Sequence, residues 1–444
     1  MSPQQSTVGK PATNRRVLIG SLSGSTIEWF DFFLYATAAA LIFDKQFFPN
    51  DDPLVSLMLS YLSLSLTFFI RPFGGIVFSH IGDRIGRKKT LVITLSLMGG
   101  ATVAIGLLPN YDQVGVLAPV LLILCRVVQG LAIGGEWGGA LLLAYEYAPE
   151  NRRGFFGAVP QTGITIGMLM STVAFALVSL MPAAAFESWG WRIPFVASVV
   201  LVFVGLWIRK GLAETPAFRE AKESGDVAAL PIIDTLRDHW RSVLVAVGAK
   251  VVETAPFYIF ATFVVSYATG TLDMERSVVL NAVSAGALVS TFGILLMGRL
   301  SDRLGRPAVF LGGAVLIAAF AAPFFMLLDL RMDWAVYAAV VISLGLVWPP
   351  VTATLGTLTS EIFTTRVRYT GVTLGYQVGA ALAGGTAPLL ATWLLARFDG
   401  AWWPIAAYLV VLAAISICAV LLSGRIVRKE SAAIAAREND KVTL

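Results

Sequence analysis

Charge is the first thing this sequence is short of. Only 14% of its 444 residues are Asp, Glu, Lys or Arg, whereas a soluble domain carries about 25%. With 57% hydrophobic residues and a mean hydropathy of +0.76, the bulk of the chain is suited to lipid. Cysteine is scarcer still: Cys125 and Cys418 both fall in apolar runs and point to neither a disulfide framework nor a metal site. No phosphate-binding glycine loop, metal-ligand cluster or accessible nucleophile constellation occurs, so an enzyme is not expected and no cofactor is implied. The opening "MSPQQSTVGKPATNRR" lacks the compact apolar region and cleavage site of a signal peptide, so the first apolar run is expected to be retained.

Long apolar stretches are what the chain has in abundance. Twelve runs of about 20 residues or more, the first near 17–43 and the last near 403–424, are long enough to cross a ~30 Å hydrocarbon core. The expected fold class is an all-α membrane protein with twelve transmembrane helices. An even number of crossings puts both termini on one side, and the basic residues say which. Of the 33 Lys and Arg, 25 lie in loops on the terminal side and five (Lys45, Arg192, Arg276, Arg331, Arg397) in the opposite loops. Three, Arg71, Arg126 and Lys250, fall inside the runs. By the positive-inside rule both termini are cytoplasmic. The net charge of +5 is then a consequence of topology, with the lipid bilayer rather than nucleic acid as the partner. The longest internal polar stretch divides the runs six and six. The expected organisation is a cytoplasmic tail (1–16), a six-helix bundle (17–208), a cytoplasmic linker (209–241), a second six-helix bundle (242–424) and a cytoplasmic tail (425–444).

The halves echo one another. "GDRIGRKK" (82–89) follows the second run and "SDRLGRP" (301–307) the eighth; "ENRRGFFG" (150–157) and "TTRVRYTG" (364–371) follow the fourth and tenth. Parallel duplication of six spans predicts two bundles around a central cavity. These residues carry a resemblance: over its whole length the chain is similar to the major facilitator superfamily of transporters. Gly298, Asp302, Arg303, Gly305 and Arg306 match that superfamily's loop signature fully; in the first half Asp83, Arg84, Gly86 and Arg87 match it, but Ser79 stands where the leading glycine is usual. "EWFDF" (28–32), "RPFGG" (71–75), "RVVQG" (126–130), "GGEWGGA" (134–140) and "GWRIPF" (190–195) together resemble the metabolite:proton symporter branch. Members of that branch carry shikimate, α-ketoglutarate, citrate or proline/betaine. The resemblance implies a multi-pass inner-membrane protein that functions as a monomer.

Two carboxylates inside the first run need an explanation, because each costs roughly 2.5–3.5 kcal/mol at a bilayer centre. Glu28 and Asp31 lie about 18 and 22 Å along a helix counted from Arg16, near mid-membrane, at i,i+3. Either each is locked in an ion pair that fixes packing, or one is balanced between desolvation and a nearby cation and so carries a proton. Arg126, always charged, lies near mid-depth of the fourth run and needs an anion. It either holds a permanent salt bridge or alternates between carboxylate and substrate. Resemblance to superfamily members with a first-helix Asp and a fourth-helix Arg makes Asp31 the proton site and Arg126 its modulator. In "KVVETAPFYIF" (250–260), Lys250 and Glu253 at i,i+3 either pair with each other or serve transport, Lys250 receiving a substrate carboxylate that Glu253 orients or discharges. Pro256 predicts a kink beyond them, and "WPP" (348–350) a break in the tenth helix.

Inside the runs three cations (Arg71, Arg126, Lys250) face four carboxylates (Glu28, Asp31, Glu136, Glu253), which leaves one acid over as a seat for a proton. A substrate anion competing for Arg126 or Lys250 would make a displaced carboxylate easier to protonate, the linkage a symporter needs. Tyr35, Gln129, Gln161, Tyr258, Trp348, Tyr376 and Gln377 are candidates to finish the pocket. Arg71, deeper toward the cytoplasm, and Glu136 are expected at the gate or in packing. Asp83 and Asp302 are expected to cap helix N-termini, with the neighbouring arginines closing the cytoplasmic side through breakable ion pairs. The expected function is proton-coupled uptake of a small organic acid, a mono- or dicarboxylate or a shikimate-like ring acid. The alternatives are symport of a zwitterionic osmolyte such as proline or betaine, proton-coupled export, and a non-transporting sensor.

Overall fold

Apolar periodicity without strand signals yields helices throughout the described residues, which in this computed structural model are 11–85, 87–134, 144–145, 148–210, 232–363 and 368–442. Six long helices come from the first half: α1 (Pro11–Leu41), α2 (Pro53–Ile85), α3 (Arg87–Leu107), α4 (Leu117–Gly134), α5 (Arg153–Ser179) and α6 (Arg192–Lys210). Six come from the second: α7 (Trp240–Gly270), α8 (Arg276–Leu304), α9 (Arg306–Leu328), α10 (Asp333–Ile362), α11 (Arg368–Ala383 with Thr386–Arg397) and α12 (Trp403–Val442). Among the described residues nine helices are individually long and apolar enough to cross a membrane, and α6 adds a tenth when joined to the segment Ala183–Gly190 across a 47° bend. Glu28 and Asp31 lower the hydropathy of α1, and the apolar part of α3 is the shorter Val92–Leu107.

Burial sorts these helices into a centre and a shell. The apolar stretches of α7 and α10 are 89% and 78% buried, those of α9 and α12 only 39%. A helix hydrophobic all round and buried all round belongs at the core of the bundle. Exposed Val200, Phe203 and Trp207 on α6, like Leu421 and Leu422 on α12, form the apolar face that lipid covers.

The central helices are irregular where the sequence predicts it. Pro256 cannot donate to the carbonyl one turn back, and α7 continues through a wide π-type turn at Ile259–Phe263. In α10 a similar turn at Ser343–Val347 precedes Pro349 and Pro350, which open the next helical segment. α11 is interrupted at Gly384–Gly385, and the Gly385 carbonyl accepts a 2.5 Å hydrogen bond from Ser65 Oγ on α2.

Helices of the two halves meet along several seams. α5 and α8 pack extensively, with Thr165 and Thr291 hydroxyls 2.8 Å apart. Tyr61 Oη on α2 lies 2.7 Å from Ser266 Oγ on α7. These contacts hold the molecule closed around its centre.

Candidate functional site

Asp31 sits on the inward face of α1 and is fully buried. Among the described residues neither of its carboxylate oxygens has a hydrogen-bond partner. The Thr102 hydroxyl beside it is already engaged: it donates to the Met98 carbonyl at 3.1 Å and accepts from Gln129 Nε2 at 2.8 Å. Gln129 Oε1 in turn accepts from Arg126 Nη1 at 2.8 Å. The other Arg126 donors reach the Ser63 and Leu64 carbonyls at 3.4 and 3.3 Å, and the guanidinium stacks 3.6 Å from the Tyr35 ring centroid. Tyr35 Oη is 2.6 Å from Ser63 Oγ. Arg126 is thus satisfied by neutral groups and sits in no ion pair among the described residues. The chain from Arg126 through Gln129 to Thr102 ends beside Asp31, and among the described residues Asp31 and Arg126 form no ion pair. Glu28 is also buried, on the side of α1 that lies within electrostatic reach of Tyr376.

The α7 motif forms a second, more saturated cluster. Lys250 Nζ donates to Glu253 Oε2, which also accepts from Thr254 Oγ1 at 2.8 Å. Glu253 Oε1 accepts from Thr352 Oγ1 of α10 at 2.9 Å, and Trp348 Nε1 donates to the Glu253 carbonyl at 2.6 Å. Lys250 Nζ stands 3.6 Å over the Tyr376 ring. The opening of α10 at its Pro-Pro pair brings Trp348 and Thr352 onto α7.

One cavity lies where the halves meet. Arg71, Lys250, Glu253, Tyr258, Trp348 and Tyr376 line it, with Trp29, Phe68 and Phe257 among the remaining walls. Its water-accessible space is about 10 Å³, roughly one water molecule, so in this conformation it is too small to hold an organic substrate. Arg71, expected at the gate, lies in this wall. Its guanidinium sits 4.5–5.8 Å from the Phe68, Phe32 and Trp29 ring centroids. Tyr35, Gln129 and Arg126 belong to the neighbouring network. Gln161 and Gln377 are buried outside the cavity wall, Gln377 with an unpartnered Oε1. Sequence reading missed Trp29, Phe68 and Phe257. Trp29 lies inside the quoted "EWFDF", but only packing of α2 and α7 against α1 marks the three as one wall.

At the end of the molecule where the chain begins, Asp302 accepts from the Gly154 and Phe155 amides at 2.7 and 3.0 Å, capping α5 from α8. Such amides are the unpaired donors of a helix start. Arg306 Nη2 lies 3.2 Å from Asp302 Oδ1, and its Nε 3.4 Å from Glu361 Oε1. The approach needs glycine on both helices: a Cβ at Gly154 would fall 2.3 Å from Ser301 Oγ, and one at Gly298 2.5 Å from Ala158 Cβ. Gly305, at φ 89°, turns the chain between α8 and α9. Arg303 faces solvent. Glu136 and Gly86, and the side chains of Asp83, Arg84 and Arg87, lie outside the described residues.

Comparison with known proteins places this geometry. The family model of the Major Facilitator Superfamily matches residues 22–384. The chain is 36% identical to the shikimate transporter of Escherichia coli K12, over 92% of this chain and 94% of that protein. It is 33% identical to the proline/betaine transporter of the same strain, over 91% and 82%. Among solved structures, the xylose transporter of E. coli in a partially occluded inward-open conformation superposes with a TM-score of 0.67 at 15% identity, covering 93% of this chain and 98% of that one.

Proposed function

Because the chain belongs to the major facilitator superfamily and is therefore a multi-pass inner-membrane transporter rather than an enzyme, we propose that it carries a small organic acid inward together with a proton, by alternating access of two six-helix bundles. The observation that carries the proton half of this reading is the state of Asp31. A carboxylate taken out of water without a partner costs several kcal/mol even after relaxation, and a proton on Asp31 removes that cost in this conformation. When the halves part and water reaches α1, the same group is free to ionise. The Thr102–Gln129–Arg126 chain ends beside it, so a rotation of the Thr102 hydroxyl or movement of Arg126 supplies a donor to the ionised form. Proton release is thereby tied to conformation, the coupling symport requires.

The organic-acid half rests on charge. Arg71 lines the cavity in no ion pair among the described residues, beside the balanced Lys250–Glu253 pair, and Arg126 lies behind it, a surround suited to a carboxylate; the shikimate transporter among the relatives carries such an acid by name. The similarity to a proline/betaine transporter supports the second reading, a zwitterion carried with a proton.

The test is proton flux into proteoliposomes holding a pH dye, with organic acids and zwitterions added outside. One acid should drive proton uptake in the wild type. Asp31→Asn should abolish that flux while leaving exchange of labelled substrate across the membrane. Proton uptake that persists in Asp31→Asn rejects Asp31 as the coupling site, and flux driven by zwitterions alone rejects the organic acid.

A further inference from the structure

We infer that Arg71, with Trp29 and Tyr258, forms the receptor for the substrate's carboxylate, and that the site takes a ring-bearing monocarboxylate and rejects a quaternary ammonium. The inference rests on the organic-acid reading above and gives it an address.

Among the described residues three cations lie in the centre, and Arg71 is the one that lines the cavity without an ion pair. Arg126 is spent on Gln129 and two backbone carbonyls and is absent from the cavity wall. Lys250 is in the wall but closed onto Glu253, which Thr254 and Thr352 hold in place. Arg71 is in the wall, almost completely buried, in no ion pair among the described residues, and its Nε hydrogen has no acceptor. Two further donors in the same wall are orphaned: the Trp29 indole N–H and the Tyr258 hydroxyl, both buried. A buried donor left unpaired carries a desolvation penalty, and three around one cavity mark the place an acceptor comes to. A guanidinium fork flanked by an indole N–H and a phenol matches a carboxylate's two oxygens, each able to accept more than one hydrogen.

The walls supply the rest of the specificity. An aromatic box is also the common recognition device for quaternary ammonium groups, so the box alone would fit betaine as well as a ring acid. Here the protein's own cations occupy the faces. Arg71 covers Trp29 and Phe68, and Lys250 covers Tyr376. A ligand ammonium would meet the Arg71 charge, that of Lys250 being balanced by Glu253, and find those faces taken. Phe257 and Trp348, packed together with centroids 4.7 Å apart and rings tilted by 43°, line the cavity with no cation over either ring among the described residues. They suit the uncharged body of a small ring. Once the halves part enough to admit it, the carboxylate goes to Arg71 and the ring to Phe257 and Trp348.

The full chain in lipid nanodiscs, titrated calorimetrically with four probes, tests this. The probes are shikimate, cyclohexanecarboxylate, the neutral cyclohexanecarboxamide and glycine betaine. The wild type should bind at least one acid at least tenfold more tightly than the amide, and betaine not measurably. Arg71→Gln should lower that acid's affinity to the level of the amide and leave the amide unchanged. Arg71→Lys, which keeps the charge and loses the fork, should fall between, and gives the reading if the glutamine variant does not fold. Trp29→Phe should weaken the acid severalfold with the amide unaffected. Equal binding of acid and amide, equal losses for both in the Arg71 variants, tight betaine binding, or no response to either acid would each overturn the assignment. Proton flux separates this from the broader reading. Acid-driven flux surviving in Arg71→Gln sinks only the receptor, whereas Arg71-dependent binding without any proton movement sinks only the symport.

Discussion

At the residue scale the centre of this protein contrasts an unpaired acid with a paired one. Among the described residues Asp31 has no hydrogen-bond partner for either oxygen, while Glu253 accepts from Lys250, Thr254 and Thr352. The difference predicts opposite mutational costs. Glu253→Gln strands a buried ammonium, and breaking a buried pair by removing one partner costs about 3–5 kcal/mol. The unfolding midpoint in detergent should fall accordingly, and the double change Lys250→Met with Glu253→Leu should recover most of it. Asp31→Asn, which strands no charge, should leave the midpoint within about 1 kcal/mol of wild type while removing proton coupling. A midpoint unmoved by Glu253→Gln would mean the pair is not closed in solution. The i,i+3 spacing alone made the Lys250–Glu253 pairing legible. Nothing in the sequence pointed to Thr352, which arrives from a helix about a hundred residues away.

At the element scale the informative feature is the junction of α5 and α8. Asp302 on one helix caps the other, and Gly154 and Gly298 let the two approach. The signature Gly298-x-x-x-Asp302 therefore encodes a contact between helices rather than a property of its own loop. Removing an anionic cap costs about 0.5–2 kcal/mol, enough to shift a two-state population several-fold. Spin labels at exposed Arg152 and Arg303, with the native cysteines replaced, should report a longer and broader distance distribution in Asp302→Asn than in the parent. An unchanged distribution would leave Asp302 with a packing role only. The proline-linked breaks in α7 and α10 act at the same scale. They open both helices where Glu253 and Trp348 meet, and the prolines announced them in sequence.

For the whole molecule the governing features are twelve long helices among the described residues, a narrow central cavity and an asymmetric spread of positive charge. The charge bias predicts cytoplasmic termini. A cysteine at Lys45, in the first opposite loop, should react with a membrane-impermeant maleimide on intact cells, and one at Arg428 only after permeabilisation. The reverse pattern would invert the topology. Under the proposed symport the proton gradient sets the direction of transport: acidifying the outside should raise uptake, and a protonophore should remove the increase. The membrane potential, worth about 2.3 kcal/mol per charge per 100 mV, adds to the drive only if protons exceed the substrate's charge. Uptake indifferent to external pH would argue for facilitated diffusion.

The sequence by itself determined the helical, membrane-spanning class, the family and the identity of the buried charges. Hydrophobic length, motif spacing and charge count are local properties that survive without any knowledge of packing. Only the tertiary structure decided how those charges are distributed among partners. It gave Arg126 to Gln129 and two carbonyls, Lys250 to Glu253, and left Arg71 and Asp31 with unpaired atoms. Which donors meet which acceptors depends on distances between helices far apart in the chain, and the desolvation cost of each group is fixed only once those helices close around it.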